Sequence, residues 1–359
     1  GSPMIVERID PIALRLPFQR QGGADALHLV LCRVTTNSGV IGYGECLCLR
    51  PTLQRSLMAT IRDAIAPIYL GKPVADRERL NRDVRLRLTA FGRSGTILNA
   101  LAAVDTALWD IAGKEAGQPL SSLLGGAKRD RVPVMASLDR YNDARTVTAR
   151  LERALASSVA AVKVHEFDLD IIERARKVIG PTMPFVADCN HVHTPADVRA
   201  SLARWQALNL QFLEDPAWPP ETWLDSPALP QVTIGLGADL GSAEQLAVYG
   251  KAPAVGVLQP DVCMIGGVTE KRRAIAMIEP LGVSVQPHSP FIGPAGLATL
   301  HFLATMKQPT CYAVVEAEPP MDMYGNGLTR WQPDLAVPTG PGLGFDPDPD
   351  YLKRHAIEM

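Results

Sequence analysis

The chain has 359 residues, 47% of them hydrophobic and 21% charged, enough for a large buried core and too apolar for a disordered chain. Its 36 Lys and Arg against 38 Asp and Glu leave a net charge of −2, which excludes binding to nucleic acid through bulk positive charge. No apolar run approaches the roughly 20 residues that span a bilayer, so a membrane is not an expected partner either.

Gly1-Ser2-Pro3 ahead of Met4 reads as the remnant of an expression tag. No signal peptide is expected ahead of Met4. The six cysteines (Cys32, Cys46, Cys48, Cys189, Cys263 and Cys311) form no C-x-x-C pair and no zinc-finger spacing with histidine. Reduced thiols and a cytoplasmic location are the expectation.

The first third contains no repeat. Residues 4–16, 27–36 and 40–45 alternate as strands, with Asn37-Ser38-Gly39 as a turn. Helical periodicity covers 53–69, 76–90 and 95–116; Asn99, Asp105 and Asp110 punctuate the last stretch, which stops at Gly117. Residues 1–128 are therefore expected to form an α+β module.

From Arg131 the pattern changes to short apolar runs alternating with amphipathic stretches. The runs are 132–138, 161–167, 184–190, 210–216, 233–239, 255–261, 282–288 and 312–318, and the helix candidates between them include 142–157, 168–179, 195–207, 242–249, 267–280 and 294–306. Eight βα-like units predict an α/β fold, a (β/α)8-type (modified TIM) barrel over 129–320. A doubly wound sheet is disfavoured, because no G-x-G-x-x-G follows the first strand. The Pro- and Gly-rich remainder, 321–359, reads as a segment returning over the first module.

Seven consecutive strands end in a polar group: Lys163-x-His165, Asp188, Glu214, Asp239, Asp261, His288 and Glu316, at intervals of 22 to 28 residues. A parallel barrel opens all of these ends on one face, where such enzymes place their active sites. Asp188, Glu214 and Asp239, from three adjacent strands, repel one another unless a cation compensates, and an all-oxygen set suits Mg²⁺, with Mn²⁺ nearly as good. Lys163 and His165, two apart, share a face. Asp261 beside His288 fixes its tautomer and makes it a better base. Acid/base groups flanking a metal are what proton abstraction next to a carboxylate requires, with Glu316 placed to donate a hydrogen bond to the enolate. His191 and His193, in a loop, read as surface or substrate contacts rather than ligands.

These residues carry a resemblance that spans nearly the whole chain. Gly42-Tyr43-Gly44-Glu45, the run Ala100–Gly113, Leu123-Leu124-Gly125-Gly126, Lys163-x-His165, VADCN, FLEDP, GAD, LQPDVCMIGG, QPH, Glu316 and the tail PTGPGLGFDPD together resemble the enolase superfamily, mandelate racemase and muconate lactonizing branch. The resemblance implies that Asp188, Glu214 and Asp239 hold Mg²⁺, that Asp261 and His288 form the dyad of the mandelate racemase-like subgroup, and that Glu316 is its electrophilic carboxyl. It makes the N-terminal module a capping domain whose loops, about 17–26 and 46–54, select substrate. Asn190, Arg50 and Gln19, with Arg20 and His28, are the candidate substrate contacts. His165 departs from the family's Lys-x-Lys, and Asp261 stands where the muconate lactonizing subgroup has lysine, which argues against that cycloisomerisation. The expected function is Mg²⁺-dependent abstraction of the α-proton of a small carboxylate to a metal-stabilised enolate, followed by dehydration of an acid sugar. The alternatives are racemisation or epimerisation, and a non-catalytic metal-binding paralogue. Relatives commonly form homo-oligomers, and one is expected here.

Overall fold

The computed structural model describes residues 1–17, 26–317 and 322–359. Three strands, β1 (Val6–Pro17), β2 (Ala26–Thr36) and β3 (Ile41–Leu49), form an antiparallel sheet in that order. The helix Thr96–Ala116 packs across it and is buried over almost its full length. Contact is so close that a Cβ on Gly44 would lie 1.7 Å from the Ala103 carbonyl oxygen and one on Gly42 2.2 Å from that of Ala107. Only glycine permits this approach of strand to helix.

The polar residues that punctuate this helix each satisfy a different neighbour, as buried polar groups must. The Asn99 side chain bonds both backbone polar groups of Leu47. Asp105 accepts the Thr269 hydroxyl and N–H from a barrel helix. Asp110 accepts the N–H groups of Tyr43 and of Leu343 in the tail.

The second unit is an eight-stranded parallel sheet: β4 (Arg131–Ser137), β5 (Ala161–Val164), β6 (Phe185–Asp188), β7 (Phe212–Glu214), β8 (Ile234–Leu236), β9 (Val255–Leu258), β10 (Ser284–Val285) and β11 (Tyr312–Val315). Neighbours pair in the order β10-β9-β8-β7-β6-β5-β4-β11. Between β10 and β11, where no ladder is seen among the described residues, the Gln286 amide donates to the Cys311 carbonyl at 2.7 Å. Met135, Ala161, Val186, Phe212 and Val257 fill the interior. Helices follow most strands, and Asp143, Asp168, Thr194 and Ser242 cap four of them by accepting backbone N–H groups. A twelfth strand, β12 (Asp334–Ala336), pairs antiparallel with β4.

The two units are pinned by buried polar links. Glu45 Oε1 accepts the Ala295 N–H at the start of helix Pro294–Thr305, and burial first of all holds its carboxyl up at about 8. His301 accepts from Ser121 N–H and donates to the Leu343 carbonyl. These links fix β3 and the chain beyond it over the barrel mouth. No helix among the described residues is long and apolar enough to cross a membrane, and the six cysteines are free thiols.

Lys271, on helix Val268–Ile278, is fully buried; its Nζ lies 4.8 Å above the Phe302 ring and has no hydrogen-bond partner. Burial pushes its ammonium down to about 8. Below that pH both folded and unfolded chains carry the proton, and the folded chain bears the desolvation cost left after the Asp261 charge offsets part of it, about 3 kcal/mol, which the ring's attraction reduces further. As pH rises from about 8 toward the unfolded value near 10.4, the folded lysine sheds its proton first and the cost fades. Lys271→Met is therefore expected to stabilise the protein at pH 7 by about 1–3 kcal/mol in urea melts, with the gain shrinking by pH 10. An equal gain at both pH values would show that charge is not its cause.

Candidate active site

Adjacent parallel strands β6 and β7 place Asp188 opposite Glu214 in register, and both side chains are buried. Asp215, the next residue, adopts a positive φ of 43°, a left-handed turn that brings its carboxyl back toward the pair. Ligand oxygens of Asp188, Glu214 and Asp215 all lie within 4.8 Å of one another. Asp215 Oδ1 is buried without a partner, while Oδ2 lies 3.7 Å from His191 Nε2.

Cations and amides meet this cluster from the neighbouring strands. Lys163 Nζ, on β5, lies 3.2 Å from both Glu214 oxygens, and the Gln259 amide beyond β9 donates to Glu214 Oε1 at 2.7 Å. His165 Nδ1 lies 2.5 Å from the Leu138 carbonyl, so that nitrogen carries the proton, and Nε2 is 3.3 Å from Asp188 Oδ2. The Asn190 N–H donates to Asp188 Oδ1 at 2.9 Å.

Protonation follows from these neighbours. Burial alone would lower Lys163, but the charges of Glu214 and Asp188 outweigh it and hold the ammonium above its ordinary value. Burial would likewise raise Asp188, yet the His165 hydrogen bond and charge hold it below the usual carboxylate range. Glu214 is raised by burial and by the Asp188 charge. Asp215 stands well above the range, through burial and then the charges of Glu214, Asp188 and Asp239. Carboxylates this crowded ionise together only with a cation among them. The orphaned Asp215 oxygen and the all-oxygen donor set fit a hard divalent ion.

On the other side of the mouth, His288 Nδ1 lies 2.6 Å from Asp261 Oδ2. Asp261 is fully buried, and its Oδ1 accepts the N–H groups of Cys263 and Met264 at 2.8 and 3.0 Å. That carboxylate is anchored by backbone, so it can hold the imidazole with Nε2 turned outward.

One cavity of about 890 Å³ is lined by Lys163, His165, Asp188, Asn190 and His288 from the barrel and by His28 and Arg50 from the first unit. Two residues stand elsewhere than expected. Asp239 is not a member of the tight carboxylate trio, although its charge reaches Asp215. Glu316 does not reach this cavity: Ala313 and Val315 of β11 face it, so by strand alternation the next residue points away. Glu316 instead pairs with Arg153, accepts the Trp331 N–H at 3.4 Å and lines a separate cavity. Gln19 and Arg20 lie outside the described residues. Asp215 and Gln259 were not anticipated. For Gln259 the signal was available, since it stands two residues before Asp261 at the end of an apolar strand, the same spacing that places Lys163 beside His165. Of the loop histidines, His191 meets the trio through Asp215 Oδ2, whereas His193 packs edge-on against Trp205.

Comparison with known proteins agrees with this architecture. Residues 6–125 match the family model described as mandelate racemase / muconate lactonizing enzyme, N-terminal domain, and 146–351 match enolase C-terminal domain-like. D-galactarolactone cycloisomerase of Agrobacterium fabrum is 30% identical over 90% of each chain. D-gluconate dehydratase of Thermoproteus tenax is 27% identical over 98% of this chain and 74% of its own. Among solved structures, the 3,6-anhydro-D-galactonate cycloisomerase of Zobellia galactanivorans superposes with a TM-score of 0.85 at 25% identity, covering 99% of this chain and all of that one.

Proposed function

The chain belongs to the mandelate racemase/muconate lactonizing family of the enolase superfamily and is an enzyme, and from that premise we propose that it removes the α-proton of a polyhydroxy acid and expels the β-hydroxyl as water. The observation that carries this reading is the Asp261–His288 pair opening on the same cavity as Lys163, His165 and the carboxylate cluster.

Mg²⁺ is the proposed ion, with Asp188 and Glu214 as its two fixed ligands and Asp239, at the end of the next strand, as the third. Asp215, whose carboxyl closes on the same two groups, is the alternative third donor, with His191 beside its other oxygen. When bound, the ion supplies positive charge beside the substrate carboxylate as that group takes up negative charge. Lys163 binds the same carboxylate. The base, His165 or His288 according to configuration at the α-carbon, takes the proton as the C–H electron pair moves into the carboxylate system. That pair then returns to form the C=C bond as the β-C–O bond breaks, and His288, stabilised as a cation by Asp261, gives the leaving hydroxyl its proton. Product is an enol that ketonises to a 2-oxo-3-deoxy acid.

Incubating acid sugars and their lactones with the enzyme and Mg²⁺ in D₂O tests this. The expected result is a 2-oxo-3-deoxy product carrying deuterium at C3, seen by NMR. The two histidines, reached from β5 and beyond β10, also favour a second reading, racemisation or epimerisation. Its signature is α-deuterium without loss of water. Among active compounds, exchange unaffected by either His165→Asn or His288→Asn would overturn both readings.

The ligand assignment has its own test. Asp239→Asn is expected to weaken Mn²⁺ binding by more than about 100-fold in an electron paramagnetic resonance titration, and Asp215→Asn by only about 10-fold. The opposite order would put Asp215 at the third corner.

A further inference from the structure

Beyond the groups at the strand ends, the cavity has a cationic rim that the proposed proton transfer does not use. Arg15 lies on β1, directly across from His28 on β2, and His28 pairs in turn with Leu49 at the end of β3, just before Arg50. Arg140 reaches the same cavity from the loop after β4, its guanidinium held 4.5 Å over the Phe167 ring. Three separate segments thus bring three guanidiniums to one opening. Among the described residues none of the three has a carboxylate within ion-pair distance, and the one rim carboxylate among the lining residues is Asp139. Burial and the Arg15 charge hold His28 below its ordinary value, so it adds a neutral polar group and the surplus charge belongs to the arginines.

We propose that this rim is a subsite for a second carboxylate, and that the enzyme's substrates are acid sugars bearing a carboxylate at each end. The inference rests on the proposed enolate chemistry only for which end of the substrate lies at the floor. There, Lys163 and the divalent ion would take the reacting carboxylate; an uncharged terminal hydroxymethyl would bring the three guanidiniums no charge to pair with. A planar carboxylate matches the guanidinium fork, and the stack on Phe167 presents Arg140 already oriented.

Calorimetric binding in the presence of Mg²⁺ and α-deuterium exchange, run side by side on aldarates, on aldonates of the same configuration and on the matching 6-phosphoaldonates, test this. The expected result is at least about 30-fold tighter binding of an aldarate than of its aldonate, falling to less than about 3-fold in the double variant Arg50→Met, Arg140→Met, with melting temperature unchanged. Equal binding of aldarate and aldonate overturns the subsite, and if exchange still occurs the enolate reading survives. Tighter binding of the phosphorylated acids also overturns the assignment to a dicarboxylate. Selective aldarate binding without exchange of any compound leaves the subsite standing and removes the enolate reading instead. A preference that persists undiminished in the double variant places the second anion elsewhere.

Discussion

Replacing His288 by Asn will cut exchange of the α-proton on its side of the substrate, or dehydration, by about 10³-fold, the range that positioned acid/base groups supply. Asparagine fills similar space and keeps a polar tip, so folding should survive, and an unchanged urea midpoint will separate lost chemistry from lost structure. Asp261→Asn gives the companion result. Its oxygen can still accept the Cys263 and Met264 N–H groups that Asp261 accepts now. Its amide N–H₂ would then face His288 Nδ1, favouring the tautomer that carries the proton on Nε2 and so removing the basic nitrogen from the cavity. Loss of about 10²-fold or more is expected with binding of substrate little changed. If His288→Asn exchanges at the parent rate, the dyad has no part in the chemistry.

Glu214→Gln is the second large effect. Glu214 accepts from both Lys163 and Gln259 and stands beside Asp188, so it couples the carboxylate cluster to the lysine proposed to grip substrate. Glutamine keeps the shape and removes one charge from the hard donor set. Divalent-ion affinity should fall by more than about 100-fold and turnover by at least about 10³-fold. Stability responds differently. A ligand at 100 times its dissociation constant adds about 2.7 kcal/mol to the folded state. Mg²⁺ should therefore raise the melting temperature of the parent protein by several degrees and leave Glu214→Gln where it is. Parallel Mg²⁺ shifts in both proteins would show that the ion binds elsewhere.

The barrel and the positions of Lys163, Asp188, Glu214, Asp261 and His288 were legible because one rule repeats along the chain: an apolar strand ends in a polar group about once per βα unit. What the sequence hid depended on details below that rule. Asp215 follows Glu214 and by alternation should face away; a single left-handed residue turns it back. Glu316 departs in the opposite sense: it looks like another strand-end acid, but Ala313 and Val315 of β11 face the cavity and Glu316 lines a separate one. Helix candidate 195–207 is broken at Ser201, the C-cap of Pro195–Ala200 and the start of Leu202–Ala207. At three residues β12 is too short to show a period. Asn99, Asp105 and Asp110 stood out as polar interruptions of a helix, whereas the partners that make them tolerable, Leu47, Thr269 and Leu343, lie far away in sequence and emerge only on folding.

Whether Asp188 and Glu214 hold a divalent ion can be seen in a crystal grown with Mn²⁺ and measured for anomalous scattering. A single strong peak is expected at the barrel mouth, about 2.0–2.3 Å from oxygens of both Asp188 and Glu214, with Lys163 no longer the nearest cation to Glu214. An absent peak at saturating Mn²⁺, or one bonded to neither carboxylate, would contradict that placement.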